Sequence, residues 1–442
     1  MPLRHRLASL RASGWLSLLS ATLAASLTAP VGAEEIQPDS LASVPDSAAA
    51  QDRSFDQNYL FGDWGGWRTS LAERGIRPML LLITDPYGNS RGGLARGFTD
   101  YSMVSADLKV DTAKAFSLKG GEFQVGFAVN FGSQLSQDVV GNTFPIQSSD
   151  VSPPGPRLTT LSYTQSLLED KLSLRIGRLS IDSLYGEEFA GSAYFRQFTS
   201  VAFNAIPFAI FYNSPGAFGY PATTWGARAR YAPQGDVYLM AGIYNGDPDV
   251  GLANRHGLDF TLNGPAFGIG EIGWKRNQEP GATALPGNLK LGAFVLGGPA
   301  QPNDATPASG SRHGFYLVAD QMVTRLGTGA DGRQVGVFGS LVSAPDQAVS
   351  PMPLFFSTGL VANGPLASRP QDFLSLGVAY GGYSSALRSN QDANELTLEL
   401  SYALQLRPGL ILQPGIQLLI HPGGSASTPN ALALGVNTVV SF

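Results

Sequence analysis

From residue 79 onward, apolar and polar residues alternate along the chain in one segment after another. In residues 395–406 every second residue is apolar, from Leu396 through Leu400 to Leu406, and most of the residues between them are polar. Successive side chains of a β-strand point to opposite faces of the sheet. Each such segment therefore predicts a strand with one apolar face and one polar face.

Seventeen segments show this alternation or a weaker form of it. They are 79–84, 104–111, 123–131, 158–167, 171–179, 224–232, 236–244, 256–262, 267–275, 288–296, 314–323, 334–342, 353–361, 373–383, 395–406, 410–420 and 432–442. Bacterial single-chain membrane barrels have an even number of strands. We therefore expect at least one of these segments not to be a strand, and 16 is the nearest even number.

Three features favour a transmembrane barrel over a soluble β-sandwich, whose strands also alternate. The segments are mostly about 9–11 residues long, the length of a tilted membrane-crossing strand. Their polar faces carry acidic and basic residues together, as on strands that line a water-filled lumen. Tight turns lie at 169–170, 233–235 and 407–409, and long connections lie at 132–157, 180–223 and 297–313. The sequence predicts an all-β protein, a transmembrane antiparallel β-barrel of about 16 strands over residues 79–442, in the bacterial outer membrane.

The first residues have the features of an export signal. Arginines within the first 11 residues precede an apolar run from Trp15 to Leu27, and residues 31–33 are a small-x-small triplet. This order is typical of a secretory signal peptide, so we predict cleavage after residue 33. No later segment has the length and apolarity of a membrane-spanning helix.

Two further segments precede the strands. Residues 34–58 are rich in Ser, Ala, Asp and Gln and predict a flexible linker. Residues 59–78 predict a helical segment, in which Asp63 can cap a short helix starting near Trp64 and Gly75 can supply the left-handed residue that ends it.

Composition and charge exclude several functional classes. Charged residues make up 14% of the chain and the formal net charge is −5, which excludes a strongly basic nucleic-acid-binding protein. The chain has 53 glycines and no cysteine. Disulfides, thiolate zinc sites and cysteine nucleophiles are therefore excluded.

Several short segments of the chain resemble those of a known protein family. Residues 62–69, GDWGGWRT, resemble the opening motif of the OprB-type carbohydrate-selective porins. Further similar segments follow in order at 170–178, 244–248, 285–292, 314–321 and 412–417. The resemblance covers roughly residues 59–442 and implies a 16-stranded barrel for passive uptake of sugars such as glucose, with loops folded inward to narrow the pore. Between 180 and 211 the sequence departs from the family pattern, which leaves the preferred sugar open.

The chemistry of a sugar predicts which side chains narrow the pore. A sugar has hydroxyls that donate and accept hydrogen bonds, so a selective pore needs Arg and carboxylate groups together with aromatic rings. Alternation places Arg175, Arg228 and Arg230 towards the lumen, leaves the direction of Arg178 undecided, and makes 182–200 our choice for the inward loop. The candidate constriction residues are Arg175, Arg178, Asp182, Tyr185, Glu187, Glu188, Arg196, Arg228 and Arg230. The alternative interpretation is that these charges only solvate the wall or pair across strands.

Other functions and partners remain as alternatives. A general or small-anion diffusion porin would have the same scaffold. A barrel-embedded hydrolase is a third hypothesis, but after the signal the chain has only His256, His313 and His421, widely separated in sequence. We find no P-loop or zinc signature and predict no cofactor, no metal and no nucleic-acid partner. The predicted partners are carbohydrate solutes and outer-membrane lipid, with monomer and homotrimer both open.

Overall fold

The strands form a closed cylinder. The computed structural model describes residues 58–149, 154–182, 189–216, 219–247, 257–258, 260–278, 282–298, 312–327, 332–387 and 394–442. Within them each strand pairs antiparallel with its neighbours in sequence, and the last strand pairs with the first. The all-β barrel of 16 strands is confirmed.

The strands are β1 Ile76–Arg91, β2 Gly97–Asp111, β3 Gly121–Gly132, β4 Gly155–Leu167, β5 Leu172–Leu179, β6 Thr224–Gln234, β7 Val237–Asn245, β8 Ala266–Arg276, β9 Gly287–Leu296, β10 Arg312–Arg325, β11 Gln334–Ser343, β12 Leu354–Asn363, β13 Phe373–Gly382, β14 Asn394–Arg407, β15 Leu410–Ile420 and β16 Ala431–Ser441. The helices are α1 Trp67–Glu73, α2 Thr112–Phe116, α3 Val201–Asn204 and α4 Phe208–Asn213, and a 3₁₀ turn at Trp64–Gly66 precedes α1.

One predicted strand is wrong. The described residues of the segment 256–262 form no strand. Leu258 and Phe260 are instead exposed side chains of the connection between β7 and β8, and the Phe260 ring lies 5.2 Å from that of Trp225. Apolar residues at every second position of this loop therefore led to a false strand prediction. The other 16 predicted segments all coincide with strands.

The two faces of the wall have opposite polarity. On β5, Leu174 and Ile176 are 42% and 62% exposed, whereas Arg175 between them hydrogen-bonds to Gln124 and Ser162 on β3 and β4. The apolar set therefore faces outward and the polar set faces the lumen, as in barrels that cross a membrane.

Connections of different length lie at the two ends of the cylinder. Residues 168–171, 235–236 and 408–409 make short turns at one end, and residues 133–154, 180–223 and 246–265 make long connections at the other. In outer-membrane barrels the short turns are periplasmic and the long loops extracellular. The short N-terminal helix lies at the periplasmic end, at the start of β1.

The N-terminal helix begins later than the sequence predicts. Gly65 and Gly66 both have positive φ, which separates the 3₁₀ turn from α1 and makes Gly66 the N-cap of α1. Asp63 instead accepts hydrogen bonds from the backbone N–H and hydroxyl of Thr69. Gly75 ends the segment at φ +81°, close to the Asp111 carbonyl. The predicted export signal and all but the last residue of the predicted linker lie outside the described residues.

The apolar core lies inside the barrel. Phe144, Phe189, Phe198 and Phe203, which belong to the long connections, are all at most 2% exposed and pack against wall residues such as Phe338. Loop side chains thus narrow the lumen. None of the helices within the described part of the chain is long and apolar enough to cross a bilayer.

Candidate functional site

Two long connections fold into the lumen. The first, residues 133–149, carries the buried residues Leu135 and Phe144. The second includes the described residues 189–216, with α3 and α4. We call them inward loop 1 and inward loop 2. The sequence singled out only the second, because nothing in the local pattern of residues 133–149 distinguishes an inward loop from an outward one.

Glycines on the wall make room for the aromatic side chains of inward loop 2. A methyl group at Gly336 on β11 would overlap the Tyr194 ring. A methyl group at Gly377 on β13 would lie 2.8 Å from Phe198 and 3.0 Å from Phe203. The rings therefore occupy the space next to the wall backbone that a side chain would need, which accounts for part of the glycine content.

A cavity of about 340 Å³ lies between the two inward loops and the wall at Ile83 and Met103. Its lining includes Asp182 and Arg196 and the aromatic side chains Phe208, Phe211, Tyr212 and Tyr220. This is the combination of a hydrogen-bond acceptor, a donor and aromatic rings that the sugar chemistry predicts. The volume is at the lower end of the roughly 300–1,000 Å³ typical of small-molecule sites.

The two charged groups of the cavity are held differently. Asp182 lies beyond the end of β5, is 4% exposed, and accepts a 2.6 Å hydrogen bond from the backbone N–H of Tyr220. Gly219 next to it has no side chain, and a methyl group there would lie 3.2 Å from the Asp182 carboxylate. Arg196 is exposed in the short 3₁₀ turn Phe195–Gln197. The Asp182 carboxylate is thus held by the loop backbone, and Arg196 is an exposed residue of the lining.

The predicted arginines of β5 and β6 lie on the wall, outside the cavity lining. Arg175 donates to Gln124 at 2.7 Å and to Ser162 at 3.1 Å, and Gln124 in turn donates to Asp107 at 3.2 Å. A hydrogen-bonded row therefore runs across β2 to β5. Arg228 is the register partner of Arg175.

Arg230 and Arg178 have other surroundings. The Arg230 guanidinium lies 4.7 Å above the Tyr238 ring. Arg178 is 2% exposed and donates to the Thr223 carbonyl at 2.6 Å. In register it opposes Leu161, which is exposed on the outer face, and Trp225. Of the predicted arginines, Arg178 is therefore the least favourably placed to contact a solute.

The structure brings together some of the predicted residues and not others. Asp182 and Arg196 share the cavity, and Arg175, Arg228 and Arg230 share the wall of β5 and β6. Tyr185, Glu187 and Glu188 lie outside the described residues. The lining aromatics of α4 were missed, because a short helix in an irregular loop has no strand-like period to reveal it.

Among the described residues, no group of three His, Asp or Glu side chains is placed to hold a metal ion.

Comparisons with known proteins agree with this architecture. The sequence profile of the family described as carbohydrate-selective porin, OprB family, matches residues 95–442. Porin B of Pseudomonas aeruginosa is 26% identical, over 90% of this chain and 94% of that protein. A protein named putative porin QuiX, of Acinetobacter baylyi, is 23% identical, over 88% of this chain and 94% of that protein.

Solved structures show the same fold. The high-pH structure of Pseudomonas putida OprB matches with a TM-score of 0.81 at 22% identity, covering 88% of this chain and 99% of that one. The low-pH structure of the same protein matches with a TM-score of 0.56 at 20% identity, covering 88% of this chain and all of that one.

Proposed function

Because the chain belongs to the OprB family of carbohydrate-selective porins of the outer membrane, we propose that it admits single sugar units such as glucose by passive diffusion between its two inward loops. The observation that carries this proposal is the cavity, where Asp182, Arg196 and four aromatic side chains surround about 340 Å³ inside a closed barrel. That volume suits a monosaccharide better than a longer saccharide.

The lining has complementary roles towards a sugar. Asp182 accepts hydrogen bonds from hydroxyl groups, and Arg196 donates to hydroxyl oxygens. Phe208, Phe211 and Tyr212 cover the less polar faces of the sugar ring. Binding at such a site must stay weak, because a channel conducts only when its solute can also leave.

Passive diffusion through the channel, rather than catalysis, is the function that we infer. His313 lies beside Phe315 with 6.5 Å between the ring centroids, and His421 directly precedes the turn Pro422–Gly424. Neither histidine is in the cavity lining. His256 lies outside the described residues. The exposed apolar side chains of the outer faces are proposed to contact lipid or a neighbouring subunit.

A second candidate function is the passage of small anions. Arg175 and Arg228 oppose each other on neighbouring strands, and Arg230 follows on the same lumen face. This row favours anionic over cationic solutes. Measuring the reversal potential across a KCl gradient separates the two candidates, because a strongly anion-selective current without sugar block would favour the anion channel.

Conductance in a planar bilayer tests the sugar site. We expect glucose to block the ion current of the refolded mature protein in a saturable way. Arg196→Gln should weaken this block by about two- to tenfold, the loss expected for one hydrogen bond. Arg96→Gln, in the exposed connection between β1 and β2, is the matched control and should leave the block unchanged.

The two possible failures have different meanings. A conductance that glucose never blocks would contradict the monosaccharide proposal. A block that Arg196→Gln and Arg96→Gln weaken equally would contradict the position of the site.

A further inference from the structure

Five carboxylates on the lumen wall share one property. Each is at most 6% exposed and accepts at least one hydrogen bond from a backbone N–H group of an inward loop. They are Asp85 on β1, Glu271 on β8, Asp320 on β10, and Glu395 and Glu399 on β14. We call them the wall carboxylates.

Glu399 holds the start of α3 in inward loop 2. Its Oε1 accepts from the Thr199 backbone N–H at 2.8 Å and from the Thr199 hydroxyl at 3.1 Å. Its Oε2 accepts from the Ser200 backbone N–H at 2.8 Å. Thr199 is held in addition by Tyr87 and Gln417 of the wall. Both oxygens of this carboxylate are therefore committed to the loop.

Glu395 holds inward loop 1 in the same way. The backbone N–H groups of Thr143 and Phe144 donate to it at 2.8 and 3.0 Å. The backbone N–H of Gly423, in the connection between β15 and β16, donates at 2.5 Å. One carboxylate thus ties two extracellular connections to β14.

Glu271 and Asp320 hold the beginning of the described part of inward loop 2. The Ala190 N–H donates to Glu271 at 2.6 Å, and the hydroxyls of Tyr238 and Tyr316 occupy the same carboxylate. The Ala193 N–H donates to Asp320 at 3.2 Å. These contacts come before Thr199 and Ser200 along the chain, so the part of inward loop 2 that precedes α3 is held to the wall at several points.

Asp85 completes the set at the other end of inward loop 1. The Ser148 hydroxyl donates to it at 2.6 Å and the Ser149 N–H at 3.3 Å. Asn437 of β16 donates to the other oxygen. Ser148 and Ser149 also line the 340 Å³ cavity, so a wall carboxylate directly fixes a part of the cavity lining.

We propose that the wall carboxylates are positioning residues that set the size limit for solutes, by holding both inward loops in the lumen through backbone N–H groups. The proposal rests on the proposed channel function and adds how its selectivity is maintained. A carboxylate accepts on both oxygens, and in a low-dielectric site such charge-assisted bonds are strong. The wall carboxylates therefore hold the inward loops in place, and the loops held in this way set the width of the path.

Glu399→Gln tests the role of the carboxylate on the wall. A carboxamide has the same shape but turns one acceptor into an N–H₂ donor, which would face a backbone N–H of Thr199 or Ser200. We expect the rate of disaccharide entry into liposomes, relative to monosaccharide entry, to rise by about threefold or more, because the attachment of inward loop 2 to the wall at the start of α3 is released. The heat-modifiable migration of the barrel should be unchanged, since strand pairing does not involve Glu399 side-chain atoms.

Ser200→Pro independently tests the role of the loop backbone N–H that donates to Glu399. Ser200 has φ −66°, which a proline ring tolerates, and proline removes the N–H that donates to Glu399. This variant should raise the same permeability ratio although every wall residue is intact. It keeps the proposal testable if Glu399→Gln does not form a barrel.

Glu122→Gln is the matched control. Glu122 is a half-buried residue of β3 on the lumen face, opposite Thr164, and no hydrogen bond joins its side chain to the described parts of either inward loop. It should leave the ratio unchanged. Unchanged ratios in folded Glu399→Gln and Ser200→Pro would overturn the proposal, as would an equal rise in the control. A wild-type barrel that conducts no solute would instead overturn the proposed function itself.

Discussion

Single glycines on the lumen wall determine where the aromatic side chains of the inward loops can lie. At Gly336 the space that a side chain would need is occupied by the Tyr194 ring. Gly336→Ala should displace this ring and lower the unfolding temperature, because overpacking a filled core costs about 1–3 kcal/mol. Gly339 lies on the same strand, and a methyl group there would be 4.0 Å from the nearest atom. Gly339→Ala should therefore have little effect. The unfolding temperature of each variant is measured as the temperature at which half of the protein has changed from the migration of the folded barrel to that of the unfolded chain. Equal shifts in the two variants would contradict the close packing of Tyr194.

A carboxylate in the connection before β13 makes stability depend on pH. Burial alone would raise the pKa of Asp372, but hydrogen bonds from Arg369, the Gln405 N–H and the Tyr402 hydroxyl outweigh it and hold that pKa below its ordinary value. A lowered pKa in the folded state stabilises the protein above the unfolded pKa, and this contribution is lost as the pH falls through the folded value.

Asp372→Asn should therefore lower the unfolding temperature at pH 7. The difference in unfolding temperature from wild type should shrink when the pH is well below 3.8, the ordinary pKa of an aspartate. Asp236→Asn, at an exposed periplasmic turn, is the control. Thermal unfolding in detergent, measured at pH 7 and at a pH well below the ordinary pKa, checks this. A difference that is the same at neutral and acid pH would show that the side-chain charge is not its cause.

The sequence predicted part of the candidate site because some residues occupy positions that a simple rule determines. Strand parity placed Arg175, Arg228 and Arg230 on the lumen face, where they lie. Parity also placed Glu395 and Glu399 on the polar face of β14, but no rule names the partner of a lumen carboxylate. Thr143 and Thr199 are about 250 and 200 residues away from them in sequence, so these contacts follow only from the folded loops.

At the scale of elements, the N-terminal segment fastens the junction between β1 and β16. No loop connects these two strands directly. Arg68 on α1 donates to the Pro78 carbonyl of β1 at 3.1 Å and to the Phe442 backbone oxygen after β16. Its guanidinium lies between the rings of Tyr59 and Trp64, 3.8 and 4.0 Å from their centroids. The side chain thus joins the first and last strands at their periplasmic ends.

Arg68→Ala should lower the unfolding temperature of the barrel and slow its refolding, because a buried cationic side chain and two hydrogen bonds at this junction are lost. Arg74→Ala, an exposed arginine directly after the same helix, should behave like wild type. Folding kinetics followed by heat-modified migration measure the effect. Identical kinetics for wild type and Arg68→Ala would mean that β1 and β16 need no such fastening.

The elements were predicted well where one face meets lipid and the other meets water, and less well elsewhere. β1 was predicted only over 79–84 and extends over Ile76–Arg91. Its later half places Asp85, Tyr87 and Asn89 inward, all at most 3% exposed, and Pro86 and Gly88 between them. An outer face of small residues lacks the apolar signal of the other strands. The segment 256–262 shows the opposite case, because its apolar residues alternate but its described residues pair with no strand.

For the whole molecule, the wall and the inward loops are separable parts. The wall is held by hydrogen bonds between adjacent strands around the full circle, whereas inward loop 2 is held by side-chain contacts with its lumen face. Replacing residues 189–216 by a short Gly-Ser linker should therefore leave a barrel with a several-fold higher conductance, since a 16-stranded barrel is wide enough for an aqueous channel once the side chains of this loop are removed from its lumen. Single-channel recording tests this. An unchanged conductance would place the narrowest point elsewhere.

The contact between the N-terminal segment and β16 has a consequence for the order of the chain. The Leu60 backbone N–H donates to the Ser441 carbonyl at 2.8 Å, so the two ends of the described barrel meet at the periplasmic rim. A circular permutant, with residue 442 joined to residue 58 by a short peptide and new termini opened between β4 and β5 at the exposed turn 168–171, would keep every strand pair. The barrel would then have the same strand pairs but begin with β5, and β16 would be followed by β1 instead of ending the polypeptide.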